Sequence, residues 1–320
     1  MKNINWYLYG IDHVCREKSK SVYGRLIPYS RRKVYHNVDA NDLIWKAIQE
    51  NKPFFAGRLG LFELAAMRAF EFSNEKNYEL TIKQIYECAG FFPQDVALGQ
   101  RFLSEMKESM QEVDVLACSK QFAENYFMNA YMDKAACGAE SFEIMEPWRY
   151  ERPWSEALKG KKVLVVHPFD ESIRQQYEKR DKIFIGTQIL PEFELITYKS
   201  LQTTGDLKDE RFETWFDALE YMHQEIQKID YDIALLGCGA YGFPLAARLK
   251  RDGKQAIHMG GVLQILFGVM GKRWDGTGPN SKTHKMQPEI AKYYNEYWTY
   301  PKQSETPISA SRVEYGPYWR

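Results

Sequence analysis

The 320-residue chain balances 43 basic against 43 acidic side chains and is 44% hydrophobic, the profile of a globular protein able to bury a core without disulfides. A formal charge of zero argues against a generic polyanion binder, so nucleic acid is not an expected partner. No apolar run reaches the length of a membrane span and the opening residues lack a cleavable signal pattern, so the chain is read as cytoplasmic.

Residues 1–50 are basic and aromatic, with Arg31-Arg32-Lys33 ahead of a helical pattern from Ala40 to Gln49. A short strand, Pro53 to Ala56, is expected to lead into Gly57-Arg58-Leu59-Gly60-Leu61-Phe62-Glu63, and Leu61 to Phe72 repeats apolar residues at helical spacing. Residues 81–135 read as mostly helical around a buried strand at Asp114 to Cys118. Glu146-Pro147-Trp148-Arg149-Tyr150 and Pro153 then break the pattern and mark a joint between two halves.

Beyond the joint, Lys161 to Val166 is a buried strand closing on His167-Pro168-Phe169, and Ser172 to Arg180 reads as a helix. Phe193 to Tyr198 makes another strand, entering Lys199-Ser200-Leu201-Gln202-Thr203-Thr204, and a long amphipathic helix is expected from Glu210 to Lys228. The apolar run Ile233 to Leu236 ends in Gly237-Cys238-Gly239-Ala240-Tyr241-Gly242, a helical pattern follows to Lys250, and Ala256 to Met259 is strand-like. Gly260-Gly261 and a further apolar helical pattern come next. Strands alternating with helices indicate an α/β fold, a doubly wound, Rossmann-like parallel sheet with a helical N-terminal elaboration. Three blocks follow: residues 1–150, 151–280, and an aromatic tail over 281–320. The tail carries Tyr293-Tyr294-Asn295-Glu296-Tyr297-Trp298 and Tyr315-Gly316-Pro317-Tyr318-Trp319. So many aromatic rings are expected to wrap back onto the body, and they also offer a contact for a homo-oligomer.

Four places could carry chemistry. Arg58 sits between two glycines at a strand end, where a planar guanidinium suits a diphosphate, and Glu63 falls in the first helical turn as a candidate base. The bland alternative is a dipole-favoured glutamate paired with a surface arginine. The Gly237, Gly239 and Gly242 loop, with Tyr241 in it, has the G-x-G-x-x-G spacing after a strand and before a helix. Its glycines either let backbone approach an anion or only permit close helix–strand packing. A dinucleotide fold would place an acid about 20 residues further on, whereas the next strand ends in His258 before Gly260 and Gly261, which disfavours NAD. His167 at its strand end suits a ligand contact or a base near neutral pH, and equally a satisfied structural histidine. Gln202 stands in the corresponding loop of the next strand. Last, Gly271-Lys272-Arg273-Trp274-Asp275 joins two cations that could neutralise a leaving diphosphate, an indole that could stack on a ring, and a carboxylate. A helix C-terminus decorated with cations would look the same.

These residues resemble the GT-D class of glycosyltransferases, a domain of bacterial glycan assembly once catalogued as one of unknown function. Arg58-Leu59-Gly60-Leu61-Phe62-Glu63 is similar to an R-[FY]-G-D-G-E signature, and Ala256-Ile257-His258-Met259-Gly260 to an A-I-D-I-G strand. The chain is also similar to polysaccharide-cluster proteins sharing H-P-F, G-G-x-x-Q-x-x-F-G and K-R-W motifs. The resemblance covers two motif regions in the same order and leaves the middle and the tail unmatched. It implies a cytoplasmic glycosyltransferase of surface-polysaccharide or glycoprotein assembly, with a nucleotide-sugar donor and a glycan acceptor. It also implies a manganese or magnesium ion at a D-x-E motif, but Leu61 and His258 replace the two aspartates. No metal ligand is therefore assigned. Arg58, Lys272 and Arg273 are expected to hold the diphosphate, the glycine loops the donor, and Glu63 or His167 the acceptor hydroxyl. Two alternatives are a nucleotide-binding scaffold that has lost the chemistry and, less favoured by the residues, an NAD-dependent sugar-modifying oxidoreductase.

Overall fold

The computed structural model describes residues 29–320 apart from 73, 205–206, 208, 279–283 and 314–315, together with Leu8, Gly10, Ile11, Val14 and Cys15. Most of the stretch read for a signal pattern, and Tyr315 of the tail, lie outside the described residues.

Strands β1 (Val34–Tyr35), β2 (Phe54–Arg58), β3 (Val115–Ala117), β4 (Cys137–Ala139), β5 (Lys162–His167), β6 (Glu194–Lys199), β7 (Ile233–Leu236) and β8 (Gln255–His258) form one parallel sheet. Their order is β1-β4-β3-β2-β8-β7-β5-β6, so the blocks 1–150 and 151–280 meet where β2 pairs with β8. Gly57 lies opposite His258 in that pairing, and Leu236 lies opposite His258 from the other side. The parallel, doubly wound α/β architecture is the one the strand–helix alternation indicates.

Period-two alternation divides the core between the two faces of the sheet. Phe55, Leu116, Leu164, Leu236 and Ala256 point to one face. Phe54, Val115, Val165, Leu235 and Ile257 point to the other. Both cores therefore run across both blocks. Helices of two turns or more are α1 (Asn37–Glu50), α2 (Leu61–Glu71), α3 (Tyr78–Ala89), α4 (Gly99–Glu112), α5 (Glu124–Tyr131), α6 (Asp170–Tyr177), α7 (Trp215–Ile226) and α8 (Gly242–Arg251). Buried residues of α2 to α5, α7 and α8 join the first core, while those of α1 and α6 join the second. Local signals set several ends. Thr214 and Asp217 cap α7 reciprocally, and Gly90 ends α3 in the left-handed conformation.

The sequence reading needs four adjustments. Arg58 is the last residue of β2, which runs two residues beyond the expected Ala56. The long helix expected from Glu210 begins at Trp215. The apolar pattern after Gly261 makes only a four-residue helix, Leu263–Leu266. Residues 142–158, around the expected joint, form short 3-10 turns whose Ile144, Trp148 and Trp154 pack into the second core.

The tail packs on that same second face. Trp298 and Trp319 are buried there, each worth roughly 1.5–3 kcal/mol of apolar burial. Glu305 fastens the tail by accepting from the Glu171 and Ser172 backbone N–H groups at the start of α6, at 2.9 and 3.1 Å. The Trp319 indole donates to the Glu305 carbonyl at 3.0 Å. Among the described residues, no helix is long and apolar enough to cross a membrane.

Candidate active site

A cavity of about 410 Å³ lies across the carboxyl ends of β2, β8, β7, β5 and β6. Parallel α/β sheets bind ligands at this edge, where strand ends present side chains and the following helices present N–H groups. Helix α3 walls the cavity on one face with Cys88 to Gly90, and the tail walls it on the other with Tyr318 and Trp319.

Arg58 closes β2 with its guanidinium carbon 3.8 Å from the centre of the Phe142 ring, a cation–π contact that fixes the charge at the cavity wall. Glu63 is the third helical residue after the N-cap Gly60, and only 8% of it is exposed. Its carboxylate folds back over Gly60, so a Cβ there would overlap it. Leu61, the first residue of α2, is half exposed at the same mouth.

Both strand-end histidines are buried and neutral. Burial drives the His167 pKa down to about 3, and burial followed by the Arg58 charge does the same for His258. His167 Nδ1 accepts the Phe169 backbone N–H at 3.0 Å, which leaves the ring proton on Nε2. His167 is thus built to donate from Nε2, and its lone pair on Nδ1 is already used. This geometry does not suit the base role expected of His167.

Four buried polar atoms along the wall lack a hydrogen-bond partner: Ser200 Oγ, Thr204 Oγ1, His258 Nδ1 and Gln264 Oε1. Gln264 cannot relieve its own deficit by flipping, because Nε2 donates to the Val269, Met270 and Tyr318 carbonyls at 3.1 Å each. Buried polar atoms are nearly always paired, so a cluster of exceptions around one cavity marks where a polar ligand would bind.

Two solved structures are similar to this chain. One is described as the highly conserved domain of unknown function 1792, with a distinct glycosyltransferase fold. It is 14% identical, with 72% of this chain and 79% of that one covered and a TM-score of 0.38. The other, a selenomethionine-substituted structure of domain of unknown function 1792, is also 14% identical, covering 83% of this chain and 95% of that one at a TM-score of 0.40. No family model matches the chain, and no curated protein does.

Most residues singled out from the sequence meet at the cavity: Arg58, Gly60, Glu63, His167, Gln202 and His258, with the two glycine loops and Arg273. Others do different work. Lys272 and Asp275 stand outside the wall, and Asp275 accepts the Tyr300 hydroxyl at 2.6 Å. Trp274 lines the cavity as well, with only 2% of it exposed and the rest packed into the second core. Tyr241 lines the cavity too, stacked on Trp215 with ring centres 5.3 Å apart and sharing a 2.8 Å hydrogen bond with Thr203.

The glycines also make room within the protein. A Cβ at Gly237 would lie 2.8 Å from both the His167 ring and the Gly260 carbonyl. Gly242 gives its space to the His258 imidazole, and Gly261 gives its space to the Tyr318 ring. Each of these gaps seats a side chain of the cavity wall, a third use beside the two the spacing suggested.

Three wall residues lacked a strong local signal. Glu146 carries a pKa raised by burial and receives the Arg149 Nε–H at 2.5 Å. Tyr318 arrives from the tail and accepts from Arg273 Nη1 at 3.2 Å. Gln264 could have been found, since it is the glutamine of the G-G-x-x-Q stretch. As for a divalent cation, manganese and magnesium prefer oxygen ligands. Leu61 supplies none, and His258 lies within the field of the Arg58 charge. Among the described residues no three His, Cys, Asp or Glu side chains gather around one point, so the protein alone builds no such cage there.

The neutral histidines make acid lability predictable. An unfolded chain protonates its imidazoles near 6.5, whereas these two resist until about 3. Between those values the unfolded state binds more protons, so stability falls as pH falls. Melting temperature should therefore drop steadily from pH 6.5 to pH 4. His167→Gln should flatten that slope, and an unchanged slope would contradict the assignment.

Proposed function

We propose that the chain is a glycosyltransferase that moves a sugar from a nucleotide-activated donor to a hydroxyl of a glycan acceptor. The observation that carries this reading is the pairing of Arg58 and Glu63, delivered by one strand–helix turn to a cavity whose wall holds four unpartnered polar atoms. In the transfer, the acceptor oxygen bonds to the anomeric carbon, the bond from that carbon to the donor phosphate breaks, and the electron pair leaves on the diphosphate. Glu63 takes the acceptor proton. Arg58 and Arg273 meet the charge developing on the diphosphate, and His167 donates from Nε2. No step runs through a metal. The motif resemblance supports a place in surface-polysaccharide or glycoprotein assembly.

One observation favours a second reading, a nucleotide-binding scaffold without turnover: Leu61 puts a half-exposed hydrocarbon side chain where the resembling signature has a carboxylate. A thermal-shift screen of nucleoside diphosphates and sugar nucleotides, with and without added Mn²⁺ or Mg²⁺, separates these outcomes when followed by a turnover assay. A ligand at about 100 times its dissociation constant should add roughly 2.7 kcal/mol of stability. Stabilisation with product formation is the expected result. Stabilisation without product would support the scaffold, and a flat screen would remove both readings.

A further inference from the structure

The cavity differs from one end to the other. Its β2–β8 end holds the charges of Arg58 and Glu63. At the β5–β6 end the wall is Ser200, Gln202 and Thr204 beside neutral His167. Lys199, the last residue of β6, is exposed and does not join that wall. From β8 to β6 the sheet takes three strand steps, roughly 14 Å at the spacing of hydrogen-bonded strands.

The uncharged end is also rigid. Thr203 Oγ1 donates to the Gly90 carbonyl at 2.6 Å and pairs with the Tyr241 hydroxyl at 2.8 Å, which locks the loop to α3 and to the turn after β7. On either side of that lock, Ser200 Oγ and Thr204 Oγ1 stay buried without a partner. Buried hydroxyls are nearly always paired, so two left over at a cavity wall mark a place for a hydrogen-bonding ligand. Their complement is a ligand group that is uncharged and rich in hydrogen-bonding atoms. Among the described residues at that end of the wall there is no cation to meet a carboxylate or phosphate.

On the transferase reading, the anomeric carbon lies by Glu63 and the diphosphate by Arg58. One sugar ring does not reach β6 from that point, whereas the nucleoside beyond the diphosphate does. We infer that Ser200, Gln202 and Thr204 form the nucleoside pocket, pairing with the uncharged base and ribose of a nucleoside diphosphate. The inference rests on the transferase reading for its orientation. The same chemistry could come from the donor sugar, and the test separates the two.

Titration calorimetry would compare inorganic pyrophosphate, the common nucleoside diphosphates and glucose 1-phosphate on the full chain. At least one nucleoside diphosphate should bind about tenfold or more tighter than pyrophosphate, a gain of about 1.4 kcal/mol. Ser200→Ala combined with Thr204→Val should erase that gain and leave pyrophosphate affinity unchanged. Should the double variant fail to fold, Gln202→Ala, which alters a half-buried side chain, should lower the gain by itself. If the variants keep the nucleoside gain, or lose glucose 1-phosphate affinity instead, the assignment is overturned. Pyrophosphate binding without any nucleoside preference also overturns it while leaving the transferase reading in place. Binding of none of these compounds removes both.

Discussion

Replacing Glu63 by glutamine should lower turnover by about a thousandfold, within the range of roughly 10²–10⁴ that a general base contributes. Nucleoside diphosphate affinity should stay within about twofold, because glutamine keeps the shape and polarity of the side chain over Gly60. The prediction follows from position. Glu63 is buried at the cavity mouth, one turn from Arg58, and His167 cannot substitute for it because its Nδ1 already accepts a backbone N–H. Steady-state kinetics on the donor named by the binding screen would check it. Turnover within tenfold of wild type would take Glu63 out of the proton transfer and leave Glu146, whose carboxyl also lines the cavity and holds its proton more tightly than usual.

How far the sequence could be read depended on how local each signal was. The runs that became β5, β7 and β8 were visible because four to six apolar-rich residues stop at a proline or a glycine. The pairs and triplets of β1 and β4 were not. Cys137-Gly138-Ala139 has no strand pattern of its own and is extended because β3 and β1 lie on either side of it. Site residues followed the same rule. Arg58, Glu63, His167 and the glycine loops announce themselves by standing at strand ends. Glu146 and Tyr318 reach the cavity through packing between distant segments, which no window of sequence contains. Trp274 shows both cases at once: its place beside two cations is legible in sequence, while its packing into the core against the returning Tyr318 is not.

The glycines changed meaning most. Spacing alone suggested backbone approaching a phosphate, yet the space at Gly237, Gly242 and Gly261 is taken by His167, His258 and Tyr318. A glycine pattern records that something must come close, not what comes close. In this fold the glycines seat the side chains that would meet the ligand. The cavity is therefore shaped by residues whose own lack of a side chain is the requirement, and substitution there tests the site without touching any polar group.

Gly60→Ala is the sharpest such substitution. The backbone at Gly60, with φ −67° and ψ 152°, is one that alanine adopts without strain, so the fold itself should tolerate the change. What the added methyl overlaps is the Glu63 carboxylate, the far end of a flexible side chain at the cavity mouth. The carboxylate must swing away, and a misplacement of about 1 Å at a reacting group can cost on the order of 10²-fold in rate. Turnover should fall by at least about that factor, while melting temperature moves by no more than roughly 1–2 °C, the response of a chain this size to about 1 kcal/mol. Because both changes act on one carboxylate, adding Gly60→Ala to Glu63→Gln should slow the enzyme little further. Losses that multiply instead would mean that the methyl disturbs something other than Glu63. A fully active Gly60→Ala enzyme would mean that the carboxylate does not have to lie over the N-cap of α2 to do its work.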